Sequence, residues 1–198
     1  MGFLKYIVLS FLTYFLCFGT MASEVKYGIV YSNGNKYIPY SDKPIPDKEW
    51  NKSTKLWLGR SCVGEAGFNA YEECIGIAWV YAARYRELGG NVSLEKIIRR
   101  YSSAVKKRST HRRPWILSLN LNGDKPDGWP SKLSWNIHKS KWMKILSELE
   151  NWAIGNRDNP VEGANHWGGK MDTPGALWIR INPKEGMEFK NIFYRSRF

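Results

Sequence analysis

The sequence predicts an α+β domain, mainly helical, that closes with a small β-sheet and a loop-rich C-terminal part. Three observations predict it. Apolar residues recur at spacings of three and four in separate stretches between residues 53 and 155. Glycine, proline and asparagine break the chain between those stretches. Beyond Gly155 the pattern changes to short apolar runs set among Gly, Pro and Asn, which suits short strands.

The first element is not part of the fold. "MGFLKYIVLSFLTYFLCFGTMAS" places Lys5 before an apolar run from Tyr6 to Phe18, with small residues after it. This is the pattern of a secretory signal peptide over residues 1–22, cleaved near Ala22. The run is short of the roughly 20 apolar residues a membrane span needs. The chain is therefore expected to be exported, to the periplasm or beyond the cell, without stable membrane insertion once the signal is gone. Residues 23–52 read as an extended N-terminal arm. Within it "KYGIVYS" and "KYIPYS" flank "NGN", a small hairpin if the arm pairs with itself.

The folded domain is expected over 53–198. Its first helix begins with Ser53 or Thr54 as N-cap and carries Leu56, Trp57 and Val63 on its apolar side. It should end or loosen in Gly64-Glu65-Ala66-Gly67. A second helix, "AYEECIGIAWVYAARYREL", aligns Ile75, Ala78, Trp79, Ala82 and Tyr85, and stops at Gly89-Gly90. A third follows Ser93 as cap, with Leu94, Ile97, Ile98 and Tyr101 as its stripe. "RRPWILSLNLNGDKPDGWP" reads as loop. A fourth helix carries Trp135, Trp142, Ile145, Leu149 and Trp152 to Gly155. In the tail, "ALWIRI" and "NIFYR" are the strand candidates.

Composition narrows the chemistry. Hydrophobic residues make up 43% of the chain, which excludes a disordered segment. Cys62 and Cys74 remain once the signal is removed, and an even count in an exported chain favours a disulfide over two buried thiols. Lys5 is the only charged side chain before residue 23, so the remainder keeps a net charge of +11. Such a chain is drawn to polyanions, and the densest basic run is "KKRSTHRRPW", residues 106–115. No recognisable nucleic-acid module accompanies it, so nucleic acid is not expected as a partner. Metal-ligand spacings, phosphate loops and nucleotide fingerprints are missing from the sequence; no cofactor and no metal are expected.

Glu65 stands out. It lies at a helix end among small residues, and the cysteines flank it. A carboxyl in a cleft walled by aromatics loses water, and lost hydration favours the protonated form that can donate to a leaving oxygen. Glycosidic cleavage needs such a donor. A Cys62–Cys74 bridge would brace it. The bland reading is a helix-end glutamate with no chemistry.

"VGEAG", followed by an Ala-rich amphipathic helix closing on an Arg, resembles the spore-cortex-lytic cell-wall hydrolase family, within the lysozyme-like lytic transglycosylases. That family has a Gly-Glu-Ala-Arg element, a Gly-Gln, an Ala/Val-rich helix closing on Asn-Arg, a Phe-Ser element and a Gly-Ala-Thr-His segment. Here "GEAG" spans Gly64 to Gly67, "EECIGIAWVYAAR" ends on Arg84, "YSS" covers Tyr101 to Ser103, and "GANHW" runs from Gly163 to Trp167. The order agrees from about Trp57 to about Trp167. Gly67 replaces the family's Arg, Glu72-Glu73 replaces Gly-Gln, and Ala83 replaces Asn, so the resemblance is to a distant branch.

The resemblance implies a lysozyme-like fold and cleavage of the MurNAc-GlcNAc bond of peptidoglycan. Glu65 would be the general acid/base, most simply of a lytic transglycosylase, which needs no second carboxylate. It implies Asn165, His166 and Trp167 in the substrate cleft. Glu73 would line the cleft or begin the second helix; Ser102 would bond a sugar or sit on a helix surface. The expected partner is the glycan strand, and the protein a monomer. The missing Arg and Asn motivate the alternative, a wall-binding module of the same fold without turnover.

Overall fold

The computed structural model describes residues 43–106, 113–169 and 177–196. The expected signal peptide, the "NGN" hairpin and most of the basic run lie outside them. Among the described residues the chain is α+β, with five α-helices and a three-stranded antiparallel sheet.

Lys43 to Trp50 is packed rather than extended. Ile45 is buried in the core and Asp47–Glu49 forms a 3-10 turn. Glu49 accepts from the Leu94 N–H at 2.8 Å and so fastens this turn to the start of a later helix. Helix α1 (Lys52–Glu65) is capped by Asn51, whose Oδ1 accepts from the Thr54 N–H at 3.0 Å. Neither Ser53 nor Thr54 is the cap: Thr54 is buried one turn inside. The buried face of α1 runs through Leu58, Cys62 and Val63, with Leu56 and Trp57 only half-buried.

Helix α2 (Tyr71–Glu87) is the centre of the domain. Ile75, Ala78, Trp79, Ala82 and Tyr85 are buried as expected, and so are Ile77, Val80 and Tyr81 on its other sides. A helix apolar all round is one enclosed by its neighbours. Helix α3 (Leu94–Tyr101) starts under Ser93, whose Oγ accepts from the Lys96 N–H. Its amphipathic pattern buries Leu94, Ile97 and Ile98 and leaves Tyr101 at the surface. The segment read as loop contains one helical turn, α4 (Pro114–Ser118), with Pro114 in the first turn where a missing N–H costs nothing. Trp115 and Ile116 anchor it.

Helix α5 (Trp135–Ala153) buries Trp135, Trp142, Ile145, Leu149 and Trp152. Its indoles also organise the preceding loop: Trp142 donates to the Asn120 carbonyl at 2.7 Å and Trp135 to that of Gly123 at 3.1 Å. Both strand candidates form, as β2 (Trp178–Ile181) and β3 (Ile192–Ser196). A third strand, β1 (His166–Gly168), pairs with β3 in the register Trp167 to Phe193, and β3 lies between the other two. The sheet rests on α2 at Gly76, where a Cβ would stand 3.2 Å from the Phe193 ring.

Candidate active site

The chain leaves α1 at Gly67, with φ at +93°, a conformation glycine adopts without a Cβ clash. Glu65 is therefore the last residue of α1, half-buried. One of its oxygens is closely held. Oε1 accepts from Ser102 Oγ at 2.7 Å, from Ser103 Oγ at 3.1 Å and from the Ala104 N–H at 3.1 Å. Oε2 has no hydrogen-bond partner among the described residues. The three donors come from the segment that ends α3, so one short stretch of chain orients the carboxyl.

Gly64 explains how that stretch comes so close. A Cβ at this position would lie 2.1 Å from the Ala104 Cβ and 3.3 Å from Ile116 Cδ1. Contacts under 3.0 Å do not occur between real Cβ atoms, so only glycine lets residues 102–104 close over Glu65. The same contact keeps α4 against the site.

Behind the carboxyl is a set of buried hydroxyls. Ser102 is fully buried, and Ser61 Oγ and the Tyr81 hydroxyl, also buried, are 2.8 Å apart. Burial pushes the Tyr81 phenol well above its ordinary pKa, and the Glu65 charge pushes the same way; hydrogen bonds with Ser61 and Ser102 oppose them. Tyr81 therefore stays neutral and links α2 to the hydroxyl that holds Glu65. Cys62 and Cys74 are bonded, with Cα atoms 5.0 Å apart, so the disulfide pins the last turn of α1 to the first of α2.

Glu73 does not line a cleft. It is 2% exposed and both oxygens are engaged. Oε2 accepts from the Lys190 N–H at 3.0 Å; Oε1 accepts from the Asn191 N–H and Nδ2, each at 2.7 Å. Asn191 Nδ2 also donates to the Glu65 carbonyl at 3.2 Å, and Lys190 Nζ to that of Ala66 at 3.3 Å. Glu73 thus ties the approach to β3 onto the start of α2, and Lys190 and Asn191 carry it on to the end of α1. Isolated spacing carried no sign of this, because the partners lie more than a hundred residues away.

Asn165 and Trp167 are also buried. Asn165 Nδ2 donates to Glu87 at 2.7 Å and to Ser196 Oγ at 3.0 Å, and its Oδ1 accepts from the Ser196 N–H at 3.1 Å. Trp167 meets Tyr81 edge-on at 4.9 Å. His166 is half-buried. Its Nδ1 accepts from the Arg84 guanidinium, which puts the ring hydrogen of the neutral form on Nε2, and the ring lies 4.9 Å from Trp178. Burial holds the Arg84 pKa below its ordinary value, and the nearby Glu87 carboxylate opposes this without reversing it. Arg84 stays charged. It also donates to the Asn165 carbonyl at 2.9 Å and lies 4.2 Å over the Tyr101 ring.

The structure therefore brings Ser102 to Glu65 directly. Trp167 reaches the same group only through Tyr81, and His166 and Asn165 gather around Arg84, one turn along α2. Ser102 is neither a surface serine nor placed as a sugar ligand: it is buried and spent on Glu65. Sequence reasoning missed Tyr81, Ala104 and Asn191. Tyr81 had a signal, a polar-tipped side chain in the middle of an otherwise apolar helix; a backbone N–H such as that of Ala104 leaves none.

The aromatics collect just past Glu65. Phe68 stacks on Trp115 at 5.9 Å and meets Trp129 and His138 edge-on at 5.8 and 5.1 Å. Among the described residues no group of three or more His, Cys, Asp and Glu could hold a metal ion, and no helix is long and apolar enough to cross a membrane. No family model, curated protein or solved structure matches this chain.

Proposed function

We propose that this protein cleaves the MurNAc-GlcNAc bond of peptidoglycan outside the cytoplasmic membrane, on a lysozyme-like scaffold, with Glu65 as its general acid/base. One observation carries the reading: a helix-end carboxyl with three donors on Oε1 and no partner among the described residues on Oε2. Preorganised donors of this kind hold a catalytic group in one orientation without cost at the moment of reaction. The oxygen without a partner among the described residues is the one placed to carry a proton.

The reaction that fits a single carboxyl is a lytic transglycosylation. Protonated Glu65 gives its proton to the bridging oxygen as the C1–O bond breaks. The resulting carboxylate then takes the proton of the MurNAc C6 hydroxyl as that oxygen bonds to C1. The product has a 1,6-anhydro end, no water is consumed, and Glu65 recovers its proton. Neither step requires the second carboxylate of a retaining or inverting hydrolase.

The test is digestion of purified wall sacculi with the protein, followed by mass spectrometry of the soluble fragments. Fragments with 1,6-anhydro ends are the expected result. Reducing ends would make the enzyme a hydrolase. Firm binding with no release would favour the wall-binding module over an enzyme.

A further inference from the structure

The segment that holds Glu65 has a second face. Helix α3 and its neighbours wall a groove of about 760 Å³, lined by Trp57, Glu95, Lys96, Arg99, Arg100 and Val105 among others. That volume is within the range of small-ligand sites. Val105 follows directly on Ala104, whose N–H is bonded to Glu65, so the groove and the carboxyl share one stretch of chain.

Its charge is one-sided. Glu95 is already committed, with Oε1 to Arg99 at 3.1 Å and Oε2 to Ser53 Oγ at 2.7 Å. No acid among the described residues pairs with Lys96 or Arg100, and both are exposed. Trp57 keeps guanidinium groups in place: Arg99 lies 4.6 Å from its ring centroid and Arg60 4.8 Å. Arg60 is fixed further by two hydrogen bonds to the Leu119 carbonyl, at 3.1 and 2.7 Å. Lys96, Arg99 and Arg100 thus outnumber Glu95 on a wall otherwise made largely of Trp57, Val105 and Leu117, and the complement of that excess positive charge is an oxyanion.

We infer that this groove binds the carboxylates of the acidic peptide side groups carried by the glycan strand that Glu65 cleaves. The inference rests on the reading of Glu65 given above. A strand lying across Glu65 would bring its side groups toward the adjoining wall, because Val105 of the groove follows directly on Ala104, whose N–H is bonded to Glu65. Carboxylate is favoured over phosphate because it is carried by the cleaved strand itself.

The experiment measures binding, not turnover. Glu65→Gln protein is titrated onto three preparations of sacculi: untreated, carboxyl-amidated with carbodiimide, and stripped of phosphodiester polymers with hydrofluoric acid. Untreated and acid-stripped sacculi should bind alike, with affinity falling as salt rises. Amidation should weaken binding about tenfold. Lys96→Ala with Arg100→Ala should weaken binding to untreated sacculi by a similar factor and leave amidated sacculi unaffected. Lys96→Glu with Arg100→Glu should weaken it further, and Lys96→Arg with Arg100→Lys should restore it, which separates charge from folding. Binding that follows the phosphodiesters, that ignores amidation, or that is stronger to duplex DNA at equal salt would overturn the inference. A wild-type protein that never cleaves, alongside carboxylate-dependent binding through Lys96 and Arg100, would sink the cleavage reading and leave the groove standing.

Discussion

Two helix ends face each other across the Cys62–Cys74 disulfide, and each presents a glutamate. At the end of α1, Glu65 is half-buried, with all its hydrogen bonds among the described residues on one oxygen. At the start of α2, Glu73 is buried and both oxygens are saturated. Residue type and helix-end position are shared, yet one carboxylate is a strut and the other keeps an oxygen in reserve. The difference comes from what packs over each. Glu73 meets backbone N–H groups that have no other partner, and a buried N–H without an acceptor is costly. Glu65 meets two hydroxyls, one buried at Ser102 and one exposed at Ser103, and the Ala104 N–H, all on the same oxygen.

The largest expected effect separates the two. Glu73→Ala leaves the Lys190 and Asn191 donors unsatisfied and should cost about 3 kcal/mol. Urea unfolding measures it, and Glu65→Gln, which keeps an acceptor oxygen, should cost less than about 1 kcal/mol in the same assay. Equal losses would erase the distinction between strut and site.

A next, smaller effect tests how α3 reaches Glu65. Gly64→Ala drives a Cβ into Ala104 and should cost about 1 to 3 kcal/mol by overpacking. Segment 102–104 should be displaced and sacculus digestion slowed with it. Adding Ala104→Gly removes the clash and should restore most of both. If Gly64→Ala is silent, the close approach has no role in holding the carboxyl.

Much of the fold could be read along the chain, and much of the site could not. The stripes of α2, α3 and α5 were legible because three- and four-residue spacing is local and burial follows it. Helix α4 was not: five residues carry too little periodicity, and Trp115 and Ile116 form it by packing rather than propensity. The cap is not legible from residue type, because Asn51, Ser53 and Thr54 all carry capping side chains within four residues. Glu65 was legible from its glycines and the flanking cysteines. Its donors are only half so: the sequence offers Ser102 as a sugar ligand or a helix-surface serine, neither of which is its place, and the strut at Glu73 depends on Lys190 and Asn191, a contact no local pattern reports.

The smallest effect is in the pH dependence of stability, away from both glutamates. Burial alone would raise the Glu150 carboxyl, but hydrogen bonds from Lys55 and Trp50, with the Lys55 charge, outweigh it and hold it below its ordinary 4.5. A carboxyl depressed in the folded state contributes stability above its unfolded value and loses it as pH falls through the folded one. Glu150 is 46% exposed, so the contribution should be under about 1 kcal/mol. Thermal unfolding between about pH 5 and about pH 3 should show wild type and Glu150→Gln converging as pH falls. Curves that stay parallel would remove the Lys55–Glu150 pair from the stability of α1 on α5.

The measurement that bears most directly on the central claim is the rate of soluble fragment release from sacculi by Glu65→Gln relative to wild type. If the carboxyl carries the proton, the rate should fall at least about a hundredfold while the unfolding midpoint barely moves. A Glu65→Gln protein that digests sacculi at the wild-type rate would contradict the account.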